Sequence, residues 1–424
     1  MYLLLHKLFL KKYTLFIAIS LFLGSGITVA QNITSPYSII GIGDIESSYF
    51  NRTSGMANTG IAYRNDKYIT LNNPASMSNF QNQLFLVELS ARGEIANFTG
   101  SALGTNATGK DFSVERLSLG MRIKKWWGSS LGLMPFSTSN YYFTGTTSFP
   151  GTPGALPQET AGSGGINRFF FANGFKISKN LSFGVTASFL GGSFLQQDTL
   201  ISPDLNTGIF TTKNVYMRNW YFDYGLQYRI PISKKWEAAI GATYALKTRL
   251  RAQTSALVMD DKGDTLSNKI ISNNYFTLPN STGLGIALIK DKKLTFLADY
   301  RFQDWSSLNV GGLGYSLVNS SRYSLGVEYS KQKEYMNLSY EVLNLQAGVF
   351  YNKSYLQVGG QQLNEGGFTI GAGFNSKRST LSYHFAFEYG QRGSKDSQIR
   401  ENYQSITIGL SYKDFWLTKG RKYN

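Results

Sequence analysis

Three polar side chains near the C-terminus, Ser382, His384 and Glu388, alternate on one face of a stretch whose other face is Leu381, Tyr383, Phe385, Phe387 and Tyr389. A serine, an imidazole and a carboxylate are the parts of a hydrolase that uses histidine as base and serine as nucleophile. The only other histidine is His6, at the extreme N-terminus, so a His-rich metal site is excluded. A Ser-His pair that cleaves membrane lipid must face lipid, but here the apolar side chains claim that face and turn His384 the other way. We therefore read His384 as an ordinary inward residue and expect no catalytic set, no metal and no cofactor. Asp299, Arg301 and Gln303 alternate in the same way against Ala298, Tyr300 and Phe302. They read as inward polar groups that bond other parts of the chain. Gly311-Gly312 and Gly359-Gly360 lack the strand-loop-helix setting and following Lys-Ser/Thr of a phosphate cradle. Cysteine is absent, which removes thiolate nucleophiles, disulfides and cysteine-ligated metals.

The elements that carry these residues are strands. Residues 1–30 have a basic start through Lys12, an apolar stretch from Leu15 to Leu23 and small residues ending Thr28-Val29-Ala30, the anatomy of a signal peptide cleaved before Gln31. Beyond Ala30 no window approaches the ~18 consecutive apolar residues of a membrane helix. From residue 81 the chain instead alternates apolar and polar residues with a period of two. Leu181, Phe183, Val185, Ala187 and Phe189 oppose Ser182, Gly184, Thr186 and Ser188; Trp220, Phe222, Tyr224, Leu226, Tyr228 and Ile230 oppose Asp223, Gly225, Gln227 and Arg229. About fourteen such segments follow, most as long as the ~9 to 11 residues with which a tilted strand crosses a bilayer.

Connections alternate between short basic turns, such as Lys179-Asn180 and Asp291-Lys292, and long polar stretches at residues 144–166, 197–213 and 257–273, which read as surface loops. Trp126, Trp127, Trp236 and Trp416 lie beside short turns, and Trp220 and Trp305 toward the long connections, as two aromatic girdles would require. A soluble β-sandwich would alternate too, but leader, connection asymmetry and tryptophan placement weigh against it. The composition agrees, with 44 Gly, 27 Tyr and 29 Phe beside only 16% charged residues. The formal charge is +16, of which Lys7, Lys11 and Lys12 of the leader supply three. The remaining cations are scattered through turns and strand faces, which argues against nucleic acid and for the phosphates of outer-membrane lipid and lipopolysaccharide as counter-charge.

Residues 31–80 do not alternate and read as a plug on the periplasmic side of a barrel spanning 81–415, with a basic tail at 416–424. Within this plug stand Arg52-x-x-Gly55-x-Ala57-x-x-Gly60-Ile61-Ala62 and then Asn73-Pro74-Ala75, just before the first strand. The third strand contains Gly132-Leu133-Met134-Pro135-Phe136-Ser137. Proline lacks the N–H a ladder needs, so Pro135 predicts a break in wall pairing.

Together these features resemble the FadL family of outer-membrane transporters for long-chain fatty acids and other hydrophobic compounds. The resemblance implies an all-β, antiparallel transmembrane barrel of fourteen strands in the cell outer membrane, with a lumenal hatch containing Arg52, Gly55, Gly60, Asn73, Pro74 and Ala75. It also implies a kinked third strand at Gly132, Pro135, Phe136 and Ser137. The function implied is passive uptake of a hydrophobic small molecule that leaves sideways through the wall when the hatch shifts. Barrels resembling the same family also act as shuttles or assembly components for secreted surface proteins, and the sequence leaves both readings open.

Overall fold

A strand that alternates two kinds of side chain is stable only where its two faces meet two environments, and its backbone groups must find partners on both edges. A closed antiparallel barrel satisfies both demands. The computed structural model describes residues 35–415 apart from 101–105, 149–153, 203–206, 313, 336–337, 377–379 and 395–398. The expected leader, the basic tail and Trp416 lie outside the described residues.

The wall has 14 strands. In chain order they are β1 (Leu84–Thr99), β2 (Ala107–Lys124), β3 (Trp127–Thr138, resuming as Tyr141–Thr147), β4 (Leu156–Lys176), β5 (Leu181–Ser202) and β6 (Thr207–Pro231). Two interrupted strands follow: β7 (Trp236–Ala245 and Thr248–Asp260) and β8 (Thr265–Leu278 and Ser281–Lys290). The last six are β9 (Leu294–Gln303), β10 (Ser320–Tyr335), β11 (Leu338–Val358), β12 (Gln361–Asn375), β13 (Leu381–Arg392) and β14 (Arg400–Phe415). Each pairs antiparallel with its sequence neighbours, and β14 closes on β1 from Leu84↔Phe415 to Thr99↔Arg400. The breaks in β7 and β8 sit at one level. Pro279 cannot donate to the ladder there, and the side-chain carbonyl of Asn280 accepts from the Lys247 N–H at 2.8 Å.

The predicted faces are the observed ones. Ser182, Thr186, Ser188, Gln227 and Asp299 are buried inside, whereas Leu226, Ile240, Leu284, Ile286, Phe385 and Ile408 are exposed outside. An apolar belt of this extent is covered by lipid, which makes the chain a transmembrane barrel. Trp126, Trp127 and Phe175 stack at one rim and Trp220 packs edge-on to Phe189 at the other, forming girdles.

Two expectations change. Trp305 is not a girdle residue: β9 ends at Gln303, the chain turns inward, and Trp305 is 1% exposed, stacked on Tyr355 at 4.6 Å. The stretches 144–166, 197–213 and 257–273 are strand over most of their length rather than loop. β5 to β8 continue past the girdle as a paired sheet, because strands already in register continue their ladder even through Ser, Thr and Asn.

Candidate functional site: the filled lumen and the gap in the wall

Gly, Ser, Thr and Asn in residues 35–80 give short capped turns instead of an amphipathic helix. Three 3-10 turns result: Pro36–Ile39, Arg52–Met56 and Pro74–Asn79, with a two-residue strand at Asp44–Ile45. Each turn is capped by the preceding side chain, Ser35, Asn51 or Asn73, which accepts from the N–H two residues on. The Asn-Pro-Ala element now has a physical account. Pro74 is preset for the first turn position, and Asn73 both caps the turn and donates through Nδ2 to the carbonyls of Ile61 and of Leu226 on β6, each at 2.9 Å. The backbone at Pro74 and Ala75 lies so close to β5 that a Cβ at Gly184 would collide with it.

Around Arg52–Ile61 the segment is bonded to wall residues far along the chain. Arg52 donates from Nε to Glu328 of β10 at 2.8 Å and from both terminal nitrogens to Glu341 of β11 at 2.7 Å, with its guanidinium 4.6 Å from the Tyr68 ring centroid. Burial opposes the charge, and the two carboxylates at 2.7–2.8 Å offset that cost. Asp299 of β9 accepts from the backbone N–H of Gly60 at 2.6 Å and of Ile61 at 3.0 Å. Ala57 donates to Thr369 of β12 at 2.8 Å. Gly55 lies in the turn that Arg52 opens, so Arg52, Gly55, Gly60, Asn73, Pro74 and Ala75 form one bonded unit. Of the other inward polar set, Arg301 lies over Tyr49 at 5.3 Å and Gln303 accepts from Trp305 Nε1 at 2.9 Å.

The segment is not confined to one end of the lumen, as a periplasmic plug would be. Ser35 donates to Glu401 and the Tyr37 hydroxyl to the Ile399 carbonyl, both next to the start of β14 on the long-connection side. Phe80, at the other end, accepts from Arg122 beside the β2–β3 turn. The chain thus runs the length of the barrel interior.

The wall is incomplete at the third strand. β2 pairs with β3 only from Lys124↔Trp127 to Leu117↔Leu133, so the β2 edge over Ala107–Arg116 meets no described strand there. Gly132 still pairs with Ser118; Met134 and Pro135 pair with β4 alone, and the register slips between Pro135 and Ser137. Phe136 turns inward onto Tyr221, 5.9 Å away. The edge β3 withdraws from β2 is occupied by the N-terminal segment: Asp44 pairs with Thr138, Ile45 with Ser137, and Glu46 donates its N–H to the Phe136 carbonyl at 3.0 Å. The β4 side of Ser137 and Thr138 is already filled, so Asp44–Ile45 sits where β2 would have been. A register slip in β1–β2 leaves Glu115 unpaired in the ladder. Arg92 ties Glu115 at 3.4 Å to Glu46 at 3.1 Å, joining the gap's edge to the N-terminal segment.

Behind the gap is a hollow of about 240 Å³ lined by Glu46, Arg92, Pro135, Arg168, Asp223 and Glu388 among others. It is charged. The larger apolar concavities, about 900 and 890 Å³, lie on the lipid side of β6–β12. His384 faces inward, edge-on to Tyr68 at 4.9 Å, with Nε2 buried and unbonded. Ser382 instead donates to Asn375 and accepts from Lys413, so the two residues form no dyad.

Sequence reasoning did not single out Glu328, Glu341, Asp44, Ile45, Arg92 or Glu115. The acidic residues carried one usable signal, a carboxylate on the inward register of an apolar strand, as at Glu328 between Val327 and Tyr329.

A family model described as BamG matches residues 10–424. No curated protein matches the chain. Among solved structures, the Pseudomonas putida toluene transporter TodX is 18% identical with a TM-score of 0.56, covering 89% of this chain and 99% of its own. A Pseudomonas aeruginosa FadL homologue is 15% identical with a TM-score of 0.60, covering 88% and 100%. The Ralstonia pickettii toluene transporter TbuX is 15% identical with a TM-score of 0.54, covering 85% and 97%. At such identities the likeness is one of fold, a FadL-like barrel.

Proposed function

The chain belongs to the BamG family, and from its FadL-like fold and the gap in its wall we propose that it is an outer-membrane channel through which small hydrophobic molecules pass sideways into the membrane. One observation carries the reading: the edge that β3 withdraws from β2 at Pro135 is held by Asp44–Ile45 of the lumenal segment. A shift of that segment would free the edge and widen the gap together. A hollow of about 240 Å³ with charged walls suits no long apolar chain as it stands. Passage therefore requires residues 35–80 to move as a hatch, and the ligand class extends from the toluene named for TodX and TbuX to longer chains such as fatty acids.

Ile45 and Ser137 are direct cross-strand partners, a spacing that accepts a disulfide, and the chain has no cysteine of its own. The double variant Ile45→Cys/Ser137→Cys should take up radiolabelled toluene or oleate normally when reduced and lose most uptake when oxidised. Equal uptake in both redox states would sink lateral passage governed by this segment.

A second reading, a shuttle or assembly component for secreted surface proteins, is favoured by a different feature. In β8, Thr265–Leu278 pairs with β7 on one edge and with no described strand on the other. Leu266, Ile270, Ile271 and Tyr275 on it are each about 60% exposed. A long bare edge with apolar side chains invites addition of a partner's strand. Amides of 265–278 should then exchange with deuterium more slowly in whole outer membranes than in the purified barrel, and Ile270→Lys/Tyr275→Lys should abolish the difference. Identical exchange in the two settings would remove this reading.

A further inference from the structure

On the outer wall, Arg249 and Arg251 alternate along β7, Lys247 stands in the break just before them, and Arg251 is the direct cross-strand partner of Arg218 on β6. All four are exposed. Like charges placed opposite each other on antiparallel strands repel, so such a patch is costly unless an anion lies across it. None of the four belongs to an ion pair among the described residues. Their outward neighbours Tyr216 on β6 and Tyr275 and Thr277 on β8 are uncharged, and the Arg218 guanidinium packs 5.7 Å from the Tyr216 ring centroid.

The height of the patch identifies its partner. Immediately below it on the same strands are Trp220, Phe222, Tyr244 and Leu246, all exposed, at the top of the apolar belt. Farther down, the outer-wall hollow of about 900 Å³ is lined by Leu226, Ile240, Ala242, Leu284 and Ile286. Cations over aromatic rings over an apolar concavity follow the order of a lipid's own parts, from headgroup through interface to acyl chain.

We propose that Arg218, Arg249 and Arg251, assisted by Lys247, bind the phosphate of an outer-leaflet glycolipid whose acyl chains run down over Trp220 and Tyr244 toward this hollow. Guanidinium groups suit the task because each offers parallel N–H donors to two phosphate oxygens. The site lies on the outside of the wall and is independent of passage through the lumen.

The test is native mass spectrometry of the full barrel in detergent, titrated with lipid A bearing both phosphates and with the same lipid after chemical dephosphorylation. The wild type should retain one phosphorylated lipid about tenfold more tightly than the dephosphorylated one. Arg218→Gln/Arg249→Gln/Arg251→Gln should lose that preference, whereas Lys110→Gln, exposed on β2 and away from the outer-wall hollows, should keep it. Equal retention of the two lipids by the wild type would overturn the proposal without any variant, and so would a triple variant that preserves the preference.

Discussion

Replacing Arg52 with alanine is expected to release the lumenal segment from the wall. Its guanidinium makes three charge-assisted bonds to Glu328 and Glu341, and its side chain is 1% exposed. Without it, two carboxylates remain inside the barrel with neutral hydrogen-bond donors: Tyr63 and Gln346 on Glu328, and Ser330, Asn344 and Asn375 on Glu341. Breaking a buried pair in this way costs about 3–5 kcal/mol, enough to loosen the segment around the Arg52–Met56 turn even though Asp44–Ile45 and Glu46 stay tied to the wall elsewhere. The measurable results are cleavage of residues 35–80 by added protease and a raised single-channel conductance in planar bilayers. Arg52→Lys should fall between alanine and wild type, because an ammonium cannot engage Glu341 through a planar fork. Adding Glu328→Gln and Glu341→Gln to Arg52→Ala should recover part of the docking. If Arg52→Ala conducts and resists protease as the wild type does, the segment is held by other means.

Gly348→Val attacks the same contact from the wall side. A Cβ at Gly348 would stand 2.6 Å from the backbone nitrogen of Ala57, and Ala57 already has a left-handed conformation with φ of 54° at the end of the Arg52–Met56 turn. The turn has little freedom to yield, and overpacking of this kind costs about 1–3 kcal/mol or more. The wall should persist, because the ladder and the outward residues Ala347 and Val349 are untouched. Heat-modifiable gel mobility should therefore stay that of a folded barrel while protection of residues 35–80 is lost. Combined with Arg52→Ala, the effect should be far less than additive, since one displacement relieves both strains. Full additivity would mean that the two sites hold different parts of the chain.

Much of this protein is written locally. A period of two assigns each residue to lipid or lumen, because one peptide unit turns the next side chain to the opposite face. That rule located the strands near 181–196, 214–230 and 379–391 and turned His384 inward without any knowledge of its neighbours. Pro135 likewise announces its own effect, since a missing N–H interrupts a ladder wherever it falls.

What the tertiary structure alone decided are the partnerships between residues far apart in the chain. Arg52 meets Glu328 and Glu341, 276 and 289 residues on, and nothing in the spacing of any of the three indicates it. The two-residue strand at Asp44–Ile45 is too short to carry a period, yet it fills the edge that β3 vacates. Trp305 has the composition and position of a girdle residue, but the inward turn after Gln303 sends it to the core. Polar residues such as 207–213 remain strand because β5 and β7 flank them with matching backbone groups. Side-chain facing depends on adjacent residues and is legible in sequence, whereas edge occupancy and ion pairing depend on which distant segment arrives, which barrel closure decides.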